Sequence, residues 1–193
     1  MLVNNKEYAG ILFVHIPKTA GSSISKILYD NNLDNWNRAW PRHHDPYSYL
    51  KMANTIDQSV FSFSVVRNPY ARTYSCYRQY NKTNKTEISF KDYLENILKS
   101  IISPTTPLLH YPQSFYVTEN NEIQVNKIYK FENLKELESD FNWKLGRYNL
   151  GNYAVESYLN DYTSDIIDIV KTLYKADFDL FKYSTNFDDW MKL

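Results

Sequence analysis

The sequence predicts an α/β fold, a three-layer sandwich with a central parallel sheet flanked by helices. Three observations carry the prediction. Ile11 to Ile16 and the end of Val60 to Val66 are apolar runs too continuous to alternate, as expected of strands buried on both faces. Each run passes through a short turn into a stretch with helical spacing. Strand and helix then keep alternating along the chain, the pattern of a parallel sheet with crossovers on both faces.

The first strand is read over Gly10 to Ile16 and is stopped by Pro17, which cannot donate to a ladder. A helix follows over Ser22 to Tyr29, with Ile24, Ile27 and Leu28 on one stripe. Residues 30–46 have no period and read as a surface excursion, whose Trp36, Trp40, His43 and His44 are candidates for lining a site. A short helix is expected over Tyr47 to Ala53. The second strand, Val60 to Val66, runs into Arg67-Asn-Pro69, and Pro69 opens a helix continuing from Tyr70 to Tyr80. Ser89 is a candidate N-cap for a helix to Ser100, with Asp92 three residues on as an imperfect capping box. Phe115 to Thr118 and Gln124 to Phe131 read as strands around the turn residues Glu119 to Glu122, and Asn133 to Phe141 as helix. Residues 142–161 give no clear signal. The last long helix, Ser164 to Tyr174, puts Ile166, Ile167, Val170, Leu173 and Tyr174 on one stripe, and the aromatic stretch Phe178 to Tyr183 follows.

At 193 residues, without repeats or a Pro/Gly-rich hinge, residues 1–193 are read as a single domain. The 22 basic and 22 acidic residues cancel, so no overall field favours nucleic acid or an anionic membrane. A hydrophobic content of 43% supplies ample core. The longest apolar run, Ile11 to Val14, falls far short of the ~20 residues that span a bilayer, so no transmembrane segment is expected. No basic stretch followed by an apolar one opens the sequence, and Cys76 stands alone; the expectation is a cytoplasmic protein without disulfides. The four His and one Cys have no zinc-type spacing, so no metal is expected. Asn81-Lys-Thr83 and Asn84-Lys-Thr86 fit the glycosylation pattern, but without an export signal they read as an exposed polar loop.

Chemistry concentrates in two loops. A buried strand leading through Pro17-Lys-Thr-Ala-Gly-Ser-Ser23 into a helix builds an anion site, because free backbone N–H groups and the positive helix end converge there. Gly21 permits close backbone approach, Thr19, Ser22 and Ser23 offer hydroxyls, and Lys18 brings a mobile positive charge. This is not a Walker A loop, since Lys18 precedes Gly21 and no hydroxyl residue follows a Gly-Lys pair. At the end of the second strand stands Arg67, where open α/β sheets bind ligands. Arg67 can hold a phosphate bidentately, and Ser75 can add a hydroxyl to the same group, while Arg72 is read as a candidate structural residue. Two separated anion sites imply a ligand with phosphates at both ends.

His15-Ile-Pro-Lys-Thr-Ala-Gly-Ser-Ser23 and Val66-Arg-Asn-Pro-Tyr-Ala-Arg-Thr-Tyr-Ser75 resemble the two cofactor loops of sulfotransferases, specifically the carbohydrate group that includes heparan sulfate 2-O- and chondroitin sulfotransferases. Lys130-Phe-Glu-Asn-Leu134 and Tyr174 to Tyr183 are similar to later landmarks of that family. The resemblance implies a P-loop-like form of the sandwich and transfer of a sulfuryl group from 3′-phosphoadenosine 5′-phosphosulfate (PAPS) to an acceptor hydroxyl, leaving 3′-phosphoadenosine 5′-phosphate (PAP). By the family pattern Lys18, Thr19, Ala20, Gly21, Ser22 and Ser23 hold the 5′-phosphosulfate, with Lys18 offsetting charge on the leaving oxygen. Arg67 and Ser75 hold the 3′-phosphate.

The acceptor hydroxyl needs a base, and histidine suits the task. His44-Asp-Pro-Tyr-Ser-Tyr-Leu50 resembles the family segment that carries the base, which favours His44, with His43 as runner-up. His15, in the end of the buried strand, reads as structural, and His110 has no context. With no transmembrane anchor expected and Cys76 alone, the sequence departs from the anchored, cysteine-paired animal Golgi members, and its neutral charge leads to the expectation of a sugar, glycolipid or other small metabolite as acceptor. Arg38, Arg42, Lys51, Arg78 and Lys82 are candidates for a local basic patch. Other classes remain: a non-catalytic nucleotide-binding module, against which Lys18 and a histidine base tell, or an atypical nucleotide kinase, against which the missing Walker order and Mg²⁺-binding Asp tell.

Overall fold

In the computed structural model, which describes residues 2–3, 6–31, 44–53, 59–100, 108–146 and 159–190, the two buried runs become neighbouring strands of one parallel sheet. In chain order the elements are β1 (Leu2–Val3), β2 (Lys6–Glu7), β3 (Gly10–Val14), α1 (Gly21–Asp30), α2 (Tyr47–Ala53) and β4 (Val60–Val66). Then come α3 (Pro69–Asn84), α4 (Phe90–Ser100), α5 (Gln113–Val117), β5 (Thr118–Glu119), β6 (Glu122–Ile123) and β7 (Lys127–Lys130). The last are α6 (Leu134–Phe141), α7 (Ser164–Leu173), α8 (Lys175–Phe181) and α9 (Phe187–Trp190). These elements fall into two compact units, Met1–Val66 with Gln113–Leu150, and Arg67–Pro112 with Gly151–Leu193.

The first unit holds the parallel sheet, in the order β3-β4-β7, with Val14 opposite Ser64 and Val66 opposite Lys130. All seven residues of the central β4 are buried, which explains an apolar run broken only by serines. Those serines are satisfied across the sheet. Ser64 donates to the Val14 carbonyl at 2.7 Å and Ser62 to Asn126 Oδ1 at 2.8 Å. Phe13, Phe63, Ile24, Leu28, Tyr129 and Phe141 form the core where α1 and α6 meet the sheet. At its rim Lys127 is held by Glu136 at 2.8 Å and Asp140 at 2.6 Å, and Tyr129 donates to the same Asp140.

Two expectations for this unit need correction. Phe115 to Thr118 is not a strand: Gln113 to Val117 forms α5, because burying Gln113, Tyr116 and Val117 together requires helical spacing. The expected strand from Gln124 shortens to β7, since Glu122–Ile123 turns back to pair with Thr118–Glu119. Asn120 and Asn121, with φ of 52 and 64°, make that two-residue turn, a left-handed pair that asparagine tolerates well.

In the second unit α3, α4 and α7 pack on one another around an aromatic core that includes Tyr70, Tyr74, Phe90, Tyr162 and Phe178. Asn68 caps α3 by accepting the Tyr70 N–H at 3.0 Å, and Pro69 opens the helix as expected. Ser89 likewise accepts the Asp92 N–H at 3.1 Å. The Phe178 to Tyr183 stretch proves largely helical, as α8. Arg72 is 1% exposed and structural: it donates to the carbonyls of Tyr111 at 3.0 Å and Leu109 at 3.3 Å. Tyr174 donates to the carbonyl of His110 between them at 3.2 Å, so three consecutive carbonyls are held by side chains. The Tyr93 hydroxyl lies 3.0 Å from His110 Nδ1, which gives His110 the context its sequence lacked. Burial, aided by the Arg72 charge, pushes the His110 imidazole down to about 4. Asn81, in the glycosylation-like pattern, has its amide committed to the Ile88 carbonyl at 3.1 Å.

Among the described residues no helix is long and apolar enough to cross a membrane, and no cluster of His, Cys, Asp or Glu could hold a metal.

Candidate functional site

The site is built where β3 gives way to α1. His15, Ile16 and Pro17 are buried beyond the strand, and the chain then turns through Lys18 and Ala20, both at φ 70°. Such left-handed residues cost roughly 1–2 kcal/mol each when they are not glycine. The surroundings hold them there. Thr19, fully buried between them, donates its hydroxyl to the Ile16 carbonyl at 2.8 Å, and the Ala20 carbonyl accepts the N–H groups of Ser23 and Ile24 at 3.0 and 3.3 Å. Left-handed residues on either side of one that is not make a concave array of backbone N–H groups of the kind that binds anions.

Helix α1 begins directly behind this turn. Ala20 occupies its N-cap without a side-chain oxygen to offer, and no acidic residue lies in the first turn. The leading N–H groups and the positive helix end are thus set for an anion from outside the helix. Lys18 is half-buried beside them, Ser22 is exposed and Ser23 buried. The Thr19 hydroxyl proton already serves Ile16, so Thr19 has its main-chain N–H to offer an anion.

Gly21 has a different reason for being glycine than the sequence reading gave it. A Cβ at this position would lie 1.6 Å from His15 Nε2 and 1.9 Å from its Cδ2. The space of the missing side chain belongs to the His15 ring, not to a ligand. That ring also stacks on Phe13, with centroids 5.4 Å apart at 21°.

His44 reaches the same place from the other side. Its Nδ1 lies 2.9 Å from the His15 carbonyl oxygen, and the two rings are 4.3 Å apart at 57°. A carbonyl can only accept, so Nδ1 carries the proton and Nε2 is the nitrogen with the lone pair in the neutral ring. His44 is half-buried just ahead of α2, which Leu50, 2% exposed, anchors. The structure therefore brings Lys18 to Ser23 and His44 together in the first unit, joined by His15.

Arg67 and Ser75 belong to the second unit. Arg67 is the residue after β4, half-buried and followed by the Asn68 cap; Ser75 is half-buried on α3. Lys51 on α2 and Arg78 and Lys82 on α3 are exposed. His43, Trp36, Trp40, Arg38 and Arg42 lie outside the described residues. Sequence reasoning set His15 aside; the available signal was its place directly before the Ile-Pro-Lys turn, with a glycine six residues on.

The model of the sulfotransferase family matches residues 1–144, a span that includes both loops and His44. No match was found to a curated protein or to a solved structure.

Proposed function

Because the chain belongs to the sulfotransferase family, we propose that it transfers a sulfuryl group from PAPS to an acceptor hydroxyl by in-line attack with His44 as base. Residues 1–193 are read as one P-loop-like, three-layer domain. The observation that carries the proposal is the turn of residues 15–20 with the uncapped start of α1, which offers only N–H groups, hydroxyls and an ammonium, and no carboxylate. This donor set fits a phosphosulfate. When bound, PAPS supplies an activated sulfuryl group with a phosphate oxygen as its leaving atom.

The chain's own residues do the rest. The backbone of Gly21 and Ser22 holds the phosphate, and Lys18 offsets the charge that gathers on the leaving oxygen. Arg67 and Ser75 take the 3′-phosphate, by the family pattern. His44 Nε2 accepts the hydroxyl proton as the acceptor oxygen bonds to sulfur, a task its carbonyl-fixed tautomer suits. The acceptor proposed is a sugar, glycolipid or small metabolite.

Calorimetric titration with PAP, against ADP and ATP, tests the reading. Binding that needs the 3′-phosphate and is lost in Arg67→Ala supports it, and Lys18→Ala and His44→Ala should each lower turnover in the intact fold. Equal binding of ATP would replace the reading with a nucleotide kinase or a binding module. Full turnover in Lys18→Ala would sink the mechanism.

A further inference from the structure

We propose that His15 is a positioning residue that ties the base to the donor-holding turn and keeps the two at a fixed separation. The inference rests on the reading of His44 as base and goes one residue beyond it. Three contacts of one side chain and its carbonyl carry it. The imidazole fills the space over Gly21, the first residue of α1, so closely that no Cβ fits between them. The same ring faces the His44 ring at 4.3 Å, and the His15 carbonyl accepts from His44 Nδ1 at 2.9 Å. Behind it Phe13 stacks on the ring from the end of β3, and His15 is 9% exposed, so the spacer has a rigid back wall.

This arrangement answers a requirement of in-line displacement. Acceptor oxygen, sulfur and leaving oxygen must keep one line while the base stays within hydrogen-bond reach of the hydroxyl proton, and a 1 Å misplacement can cost about 10²-fold in rate. The turn fixes the leaving-group end of that line and His44 the point at which the attacking hydroxyl gives up its proton. The His15 side chain reaches both. Its carbonyl sets which His44 nitrogen carries the proton, and its ring sets where that imidazole stands.

Imidazole nitrogen NMR of the full chain without ligand, together with steady-state kinetics of His15→Ala, tests the proposal. In the wild type His44 should show a single tautomer protonated at Nδ1. His15→Ala keeps the carbonyl but removes the ring that holds the His44 imidazole against it, so with circular dichroism unchanged the His44 nitrogens should move toward the values of a tautomer mixture. kcat should fall tenfold or more, with donor and acceptor KM within about threefold. A His44 spectrum identical in His15→Ala and wild type, or a loss confined to donor KM, would overturn the positioning role. Should His15→Ala fail to fold, His15→Asn, which replaces the ring with a shorter polar group, is read by the same two criteria. A normal spectral response with full turnover in His44→Ala would instead leave the geometry standing and remove His44 as base, so the two failures are told apart.

Discussion

Replacing Gly21 by Ala sets two known effects against each other, and the structure decides which wins. At the start of a helix with ordinary φ, alanine gains up to about 1 kcal/mol over glycine. Here the new methyl would lie 1.6 Å from His15 Nε2. Ordinary contact begins near 3.5 Å, so the ring must retreat by about 2 Å. Its escape is blocked on one side by Phe13 at 5.4 Å and on another by His44 at 4.3 Å, both measured between ring centroids. Forcing extra volume into such a site costs about 1–3 kcal/mol. An approach of 1.6 Å puts the cost in the upper part of that range, about 2–3 kcal/mol, so net of the helical gain Gly21→Ala should destabilise by about 1–2 kcal/mol, a fall in Tm of about 5 °C for a chain of this size. Urea unfolding followed by tryptophan fluorescence measures it, and the decisive comparison is in the His15→Ala background. There the ring is gone, and Gly21→Ala should become neutral or stabilising. A Gly21→Ala protein as stable as wild type, or an equal loss with and without the His15 ring, would refute the reasoning.

Other outcomes follow from the same structure. The unfolded chain takes up a proton at His110 below its ordinary value of 6.5, whereas the folded chain refuses it until about pH 4. Stability therefore falls as the pH drops through that window, by up to about 3 kcal/mol, and His110→Gln should flatten this part of a stability–pH curve. Arg72→Met removes the donors to the Leu109 and Tyr111 carbonyls. Denaturant unfolding should show a loss of about 1–3 kcal/mol, since the part-buried Tyr111 carbonyl loses the guanidinium and the Leu109 carbonyl is left to the weak Cys76 thiol at 3.5 Å. Thr19→Val breaks the bond to the Ile16 carbonyl and should cost about 1 kcal/mol by thermal unfolding, while Thr19→Ser retains it.

The architecture around the site was legible because burial writes itself into periodicity. Strands β3 and β4 announced themselves as apolar runs, β4 broken only by its serines, and Pro69 and Ser89 opened the helices their chemistry suggested. Phe115 to Thr118 misled because a five-residue helix is too short to show its period, and its β-branched and aromatic residues imitate a strand. Within the site, residue types announced an anion turn. What they could not announce was the role of His15, since its importance lies in a ring over a glycine six residues away and a base 29 residues away, contacts that only the fold creates. For the same reason Arg72 and His110 gave no sign of meeting at one stretch of main chain.

The register of the parallel sheet carries a consequence for how the chain reaches its native state. β4 lies between partners far off in sequence: Val14 sits opposite Ser64, and Val66 opposite Lys130. Neither pairing can form as a hairpin, so long loops must close before any ladder bond repays them, and folding is slowed. Until both partners arrive, Val-Phe-Ser-Phe-Ser-Val-Val is an uncharged, proline-free strand with two open edges, the composition that seeds intermolecular β-stacking. Soluble yield on expression is then governed by the lifetime of that bare strand, and slower synthesis at low temperature should raise it more than any substitution that merely strengthens the finished core.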